Sequence, residues 1–93
     1  MQAIWNDKII AKSNDTIVIE DNHYFPKKSI NMEFFKESTT RTNCPWKGDA
    51  SYFSLKVNGL FNKDAAWYYP SASRAAKPIE GHVAFWKGVQ VIE

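Results

Sequence analysis

The sequence predicts a small all-β domain built from short, coiled antiparallel sheets. Short apolar or β-branched runs alternate with polar turn residues along the chain. Asn58-Gly59 separates two such runs, which is a strong hairpin signal because a type I′ turn needs positive φ at both centres. Aromatic residues make up 15% of the chain, and large rings supply much buried area per residue in a small core.

The N-terminal segment predicts a three-stranded antiparallel meander. Its strands are expected over residues 3–5, 9–12 and 16–20. Residues 6–8 form the first turn. The third strand is β-branched and apolar at its centre, with polar turn residues at both ends.

The next segment is expected to be partly extended. Residues 23–26 continue in extended form, because the residue before Pro26 avoids the helical region. We expect one helical turn over residues 27–30 and extended chain over residues 39–42. Residues 31–36 fit either a strand or a helix, and we favour the strand.

The C-terminal half predicts the clearest strands. Residues 50–57 alternate between two faces, and the larger apolar side chains share one of them. After the Asn58-Gly59 turn, the return strand begins over residues 60–62, and residues 65–69 form another strand that ends at Pro70.

The last segment predicts a short helix and a closing hairpin. The helix is expected over residues 71–77, before Pro78. The hairpin pairs residues 81–85 with residues 89–92 around the turn Trp86-Lys87-Gly88. In total we expect about seven to nine short strands in a single domain over residues 1–93.

Composition argues against several classes of function. The net charge is +2 over 93 residues, which is too mild for a nucleic-acid partner, since such proteins carry a dense basic stripe. No apolar run approaches the ~20 residues of a membrane span, and the N-terminal residues lack a signal-peptide pattern. We therefore expect a cytoplasmic protein without a membrane or nucleic-acid partner. Its oligomeric state is left open.

The titratable residues form no metal or phosphate motif. A structural zinc site usually takes four Cys or His ligands, and the chain offers Cys44, His23 and His82. Asp49 and Asp64 are isolated, whereas nucleotidyl transfer needs paired carboxylates to hold two magnesium ions. A Gly-rich phosphate loop is also absent. The sequence thus predicts neither a metal nor a cofactor.

Three tryptophans lie in segments bounded by proline or glycine, near loops, where ligands usually enter. We expect them to line an aromatic pocket for a small planar or anionic molecule, with basic side chains contacting its polar groups. The simpler alternative for Lys47 and Lys87, which each follow a tryptophan, is a solvated lysine whose stem lies on the indole. The predicted ligand-binding residues are Arg41, Trp46, Lys47, Trp67, Tyr69 and Trp86.

Two other functions stay open. A small enzyme would use Cys44 as a nucleophile or redox residue, with His23 and Lys47 assisting it. The simpler interpretation of Cys44 is a buried small hydrophobe, because free cysteines are among the most buried residues. In the third possibility the aromatic residues form only a core, and the domain is structural or binds another protein.

Four segments carry a pattern that extends over nearly the whole chain. In order and spacing they resemble the bacterial and fungal family called domain of unknown function 427, which is sometimes labelled nucleotidyltransferase-like. The Cys-Pro-Trp-Lys-Gly block and the later Ala-Trp-Tyr-Tyr are the most specific parts. The segments are Asn22-His23-Tyr24-Phe25-Pro26, residues 42–52, Asp64-Ala65-Ala66-Trp67-Tyr68-Tyr69-Pro70 and Val83-Ala84-Phe85-Trp86.

The resemblance implies a β-tent-like fold, in which small coiled sheets meet at an angle. That class includes methionine sulfoxide reductase B enzymes, which use a catalytic cysteine. It also includes the ligand-binding domain of cereblon, which holds a cyclic imide in a tryptophan cage. These relatives usually carry a Cys-rich zinc site that this chain lacks, so the metal is not carried over. A shared fold does not by itself imply that this chain has either function. The chain also lacks the paired carboxylates that nucleotidyl transfer needs, so that activity is not supported.

Overall fold

A computed structural model describes residues 1–93, and nine strands in it form three antiparallel sheets. This confirms the predicted all-β class. The strands are β1 (Gln2–Trp5), β2 (Lys8–Lys12), β3 (Ile17–Ile19), β4 (Asn22–Tyr24), β5 (Phe35–Cys44), β6 (Gly48–Val57), β7 (Leu60–Tyr68), β8 (Val83–Phe85) and β9 (Gln90–Ile92). The helical turns are all of the 3₁₀ type: Lys27–Ser29, Met32–Phe34 and Arg74–Ile79. No helix has the length and apolar character that crossing a membrane requires.

The three sheets differ in size and connectivity. The largest has the order β5-β6-β7-β8, the N-terminal sheet has the order β2-β1-β9, and β3 pairs only with β4. Two-residue turns join β1 to β2, β3 to β4 and β6 to β7, and each has positive φ at both central residues. Such turns match the right-handed twist of the flanking strands. The turn after β6 is the predicted Asn58-Gly59.

The predicted N-terminal meander is wrong in its third strand. The first hairpin forms as expected, but β3 pairs with β4 rather than with β2. The free edge of β2 is taken by a later segment, in which Ile30 bridges Ala11 and the Asn31 N–H donates to the Ile10 carbonyl over 2.8 Å. With that edge occupied, the third strand has to find its partner in the residues that follow it.

The predicted strand over residues 31–36 is also wrong in its first half. Met32–Phe34 forms a 3₁₀ turn, in which the Phe34 N–H donates to the Asn31 carbonyl over 3.1 Å. The chain leaves the edge of β2 at Asn31 and enters the four-stranded sheet at Phe35. The tight turn provides this change of sheet, which a continuous strand could not.

One long strand replaces the two predicted after the Asn58-Gly59 turn. β7 runs from Leu60 to Tyr68, with a register shift against β6 between Phe53 and Leu55. Asp64 lies in the irregular part and has φ of 55°. Three residues of β7 face one residue of β6 here, and these two extra residues kink the strand and change which side chains face each other beyond it.

The predicted C-terminal hairpin does not form. β8 pairs with β7 in the largest sheet, whereas β9 pairs with β1 in the N-terminal sheet. The intervening Trp86-Lys87-Gly88 turn therefore carries the chain from one sheet to another. The short helix before Pro78 does form, although it is 3₁₀ and includes that proline.

The largest sheet is covered on both faces. In β8, Val83 and Phe85 join a cluster of 13 buried residues that also takes side chains from β1 and β2. Ala84, which points the opposite way, joins a second cluster of seven. Four of these seven are alanines: Ala50, Ala72, Ala76 and Ala84. Because these side chains are small, the larger rings packed against them leave space on this face.

Candidate functional site

A cavity of about 160 Å³ opens on the alanine-rich face of the largest sheet, and we call it the aromatic cavity. Its five lining residues come from different parts of the chain: the turn before β6, the middle of β6, the end of β7 and the turn after β8. They are Lys47, Tyr52, Trp67, Tyr69 and Trp86. Four of them are among the predicted ligand-binding residues. Tyr52, the fifth, was not among the ligand-binding residues predicted from the sequence.

Trp67 is a half-buried wall of the aromatic cavity. Its indole N–H donates to the Tyr24 hydroxyl over 3.2 Å, and the two rings meet edge to face with centroids 6.2 Å apart. Trp86 also contacts it edge to face, at 5.7 Å between centroids. A buried indole needs a partner for its N–H, and Tyr24 supplies one from the separate β3–β4 hairpin.

Trp86 is the most exposed wall, with 47% of its surface accessible. Its indole N–H donates to the backbone carbonyl of Asp64. Asp64 has φ of 55° at the irregularity of β7, and its N–H donates to the Ser54 hydroxyl over 3.0 Å. The kink in β7 therefore provides the carbonyl that orients Trp86, while much of the ring stays open to a ligand.

Tyr52 lies opposite Trp67 across the β6–β7 pair. Its hydroxyl is within 2.9 Å of the Thr42 hydroxyl on β5. Strand alternation places it on the Ala50 face, and that signal was available in the sequence. Its pairing with Trp67 was not available, because the shift in register changes the partner.

Lys47 is the charged group of the aromatic cavity, and only 6% of it is exposed. Its ammonium lies 5.3 Å from the centroid of Trp46 and 5.5 Å from that of Tyr69, within the range of cation–π attraction. It donates a hydrogen bond to the Glu20 carboxylate, in the turn between β3 and β4. Glu20 was not among the residues predicted from the sequence, since no local motif connects it to Lys47.

The environment of Lys47 keeps it charged. Burial by itself lowers the pKa of the ammonium, but the hydrogen bond to the Glu20 carboxylate and the negative charge of that carboxylate act in the opposite direction, and the pKa of Lys47 is raised. The same hydrogen bond lowers the pKa of Glu20. Burial raises the pKa of Tyr69 to about 12, so its hydroxyl is neutral near pH 7. The cavity thus combines neutral rings with one cation.

The backbone around Lys47 is fixed by the loop that follows β7. The Ser73 N–H donates to the Lys47 carbonyl over 2.9 Å, and the Ser73 hydroxyl donates to the Trp46 carbonyl. Gly48 has φ of +115°, and an added Cβ there would lie 3.2 Å from the Ser71 carbonyl oxygen. A glycine is needed at this position, and it allows the turn to lie against the loop.

Two predicted ligand-binding residues lie outside the aromatic cavity. Arg41 is on the edge strand β5, where its guanidinium donates to the Ser38 and Thr40 carbonyls over 2.9 and 2.8 Å. Trp46 is 40% exposed and is close to the cavity only through Lys47. Arg41 therefore binds the irregular part of its own strand.

Cys44 and His23, the predicted catalytic pair, are not joined in the structure. Cys44 is half-buried and packs against the second core cluster, which includes Tyr24. His23 precedes Tyr24 in β4 and so points to the other face of that hairpin. There its Nδ1 is 2.9 Å from the Thr16 hydroxyl. A thiol–imidazole hydrogen bond is not present. The structure also contains no group of three His, Cys, Asp or Glu side chains arranged to hold a metal ion.

Comparison with known proteins connects this geometry to a family but to no activity. The sequence matches the family described as Domain of unknown function (DUF427) over residues 1–93. No curated protein matches the chain significantly. The match covers every segment that lines the aromatic cavity. The chain therefore belongs to the DUF427 family, as the resemblance of its Cys-Pro-Trp-Lys-Gly and Ala-Trp-Tyr-Tyr segments predicts.

Proposed function

We propose that this domain binds a small planar molecule with an anionic group in the aromatic cavity. The observation that supports the proposal most is the position of Lys47, a buried cation facing a cavity whose other walls are aromatic rings. Burying an ammonium is unfavourable unless it is paired. A purely structural core would fill this position better with an apolar side chain.

The size of the cavity limits the ligand. Its volume of about 160 Å³ is close to that of an engineered cavity of about 150 Å³ that holds benzene. Drug-sized ligands usually occupy pockets of roughly 300–1,000 Å³. We therefore expect one six-membered ring to enter, with its anionic group toward Lys47 and any other substituent toward the exposed Trp86.

The walls give each part of such a ligand a partner. Trp67 and Trp86 both line the cavity, and aromatic rings favour stacked or edge-to-face contacts with a further ring. The Lys47 ammonium would bind the anionic group through a charge-assisted hydrogen bond. The neutral Tyr69 hydroxyl adds a donor beside it.

The indole N–H resonances of the four tryptophans test this proposal. Benzoate is a suitable probe because it has one ring and one negative charge. We expect its addition to shift the Trp67 and Trp86 signals in a ¹H–¹⁵N spectrum and to raise the melting temperature by mass action. Single Trp→Phe variants assign the four signals.

The signal of Trp5 is the internal control. Trp5 lines a second cavity of about 260 Å³, together with Ile4, Asn6, Asp7, Gly88 and Gln90. A shift of the Trp5 signal without shifts of the Trp67 and Trp86 signals would show that the probe binds in that other cavity. This result, or no shift of any indole across a set of one-ring acids, would contradict the proposal.

A further inference from the structure

We propose that Glu20 occupies the position of the ligand's acidic group, and that a one-ring carboxylate binds by displacing Glu20 from Lys47. This inference rests on the proposed function and names its chemistry more closely. It makes the β3–β4 hairpin, which carries Glu20, a built-in competitor for the aromatic cavity.

The hydrogen bonds of Lys47 leave room for such an exchange. An ammonium has three N–H donors; the hydrogen bond that Lys47 makes is to the Glu20 carboxylate, and the Tyr69 hydroxyl lies close beside it. The remaining favourable contacts of the charge are with the rings of Trp46 and Tyr69. Replacing one carboxylate by another would therefore keep the buried ion pair and lose no other hydrogen bond of Lys47.

The two partners of the ion pair differ in exposure. The side chain of Lys47 is 8% exposed, whereas that of Glu20 is 55% exposed. An exposed carboxylate that leaves its partner is readily solvated, so it loses little on release. A buried ammonium without a partner is costly. Glu20 is thus the member that can leave, provided that another anion replaces it.

The backbone gives an independent reason to single out Glu20. In the turn between β3 and β4, Glu20 and Asp21 have φ of 54° and 65°. The other two-residue turns use Asn6-Asp7 and Asn58-Gly59, whose residue types tolerate the left-handed region. Glutamate has no such preference. Strained residues of this kind concentrate at ligand clamps and switches, and only three residue pairs hold this hairpin.

The charge of the site favours a carboxylate over a phosphate. Lys47 is the only cation that lines the aromatic cavity. Arg41 is held by backbone carbonyls on β5, and Lys87 donates to the Lys63 carbonyl. One buried ammonium balances one negative charge, which is what Glu20 now supplies. A phosphate dianion would leave a second charge without a partner.

The experiment compares benzoate with its neutral counterpart benzamide on three proteins: wild type, Glu20→Gln and Glu33→Gln. Glu33 is exposed, and its substitution changes the net charge by the same amount. We expect Glu20→Gln to bind benzoate about twofold to fivefold more tightly than wild type, the range set by a partly exposed ion pair. Glu33→Gln should bind like wild type, and the affinity for benzamide should not change.

The outcomes separate this inference from the proposed function. Equal benzoate affinity in wild type and Glu20→Gln, with the Trp67 and Trp86 signals still shifting, would overturn the inference alone. If neither probe shifts those indoles in any of the proteins, both proposals fail together. Glu20→Ala is the second variant: it removes the hydrogen bond that glutamine could still make, and it should tighten benzoate binding at least as much.

Discussion

The two turns share the sequence Trp-Lys-Gly, but a different residue of each lines the aromatic cavity. In the first, Lys47 is buried in the aromatic cavity and Trp46 lies outside its walls. In the second, Trp86 lines the cavity and Lys87 is exposed. The first turn thus contributes its cation to the site, and the second contributes its ring.

The difference arises from the surroundings of each turn. In both, the lysine ammonium lies over the preceding indole, at 5.3 Å in the first and 5.1 Å in the second. The first turn is covered by the loop with Ser71 and Ser73 and faces Glu20. The second connects two sheets, and open space surrounds Gly88. The triplet itself determines only the local stacking of lysine on indole.

The largest expected difference between the turns concerns their glycines. Gly48→Ala places a Cβ at φ of +115° and 3.2 Å from a backbone oxygen, whereas Gly88→Ala has φ of +86° and free space. We expect the first substitution to lower the free energy of unfolding by roughly 2–4 kcal/mol and the second by about 1 kcal/mol. Urea denaturation of the three proteins measures both values. Equal losses would show that the loop does not constrain the first turn.

A smaller difference concerns pH, because only the first turn has a carboxylate partner in an ion pair. The pKa of Glu20 is lowered from 4.5 in the folded protein by the hydrogen bond to Lys47. The stability that the Glu20–Lys47 pair contributes is therefore fully present above pH 4.5. It is lost as the pH falls through the lowered pKa that Glu20 has in the folded protein. The melting temperatures of wild type and Glu20→Gln should differ near pH 7 and converge toward pH 3.

The matched control for this prediction is the Lys47→Met background. There Glu20 has lost its partner, so adding Glu20→Gln should change the melting temperature by the same small amount at every pH. The ion pair would not be the source of the pH dependence if the melting temperatures of wild type and Glu20→Gln still differed at low pH. The same conclusion would follow if the Lys47→Met background showed the same pH-dependent difference.

Local signals predicted much of the fold and most of the residues that line the aromatic cavity. Asn58-Gly59 located the main hairpin, and segments bounded by proline or glycine located four of the five residues that line the cavity. These signals work because turn geometry and the burial of large rings depend on neighbouring residues. The pairing of β9 with β1 depends on contacts between the chain ends, which no local pattern shows.

The bulge in β7 shows why Tyr52 was missed. An unbroken hairpin that pairs Val57 with Leu60 would place Tyr52 opposite Ala65, but the register shift places it opposite Trp67. Asp64, an ordinary turn residue in the sequence, provides that shift and also orients Trp86. A change of register moves every later partner, so it cannot be inferred from strand alternation alone.

Glu20 was missed for a different reason. It is 27 residues from Lys47, and glutamate, unlike Asp21 beside it, is not a residue type that favours the left-handed conformation. Because β3 pairs with β4 instead of with β2, Glu20 lies in a two-residue turn, and from there its carboxylate accepts the hydrogen bond of Lys47. An error in strand order therefore removed a site residue from the prediction.

The central claim is that Lys47, and not its counterpart Lys87, makes the aromatic cavity a site for a small planar anion. Benzoate titration of Lys47→Met and Lys87→Met tests it most directly, with tryptophan fluorescence and melting temperature as readouts. Methionine is apolar and close to the lysine stem in length, so Lys47→Met should fold, since apolar replacement of a buried charge is often neutral. We expect Lys87→Met to bind benzoate like wild type. We expect Lys47→Met to bind it at least about tenfold more weakly, a loss of about 1.4 kcal/mol in binding free energy. Equal affinity in both variants would contradict it.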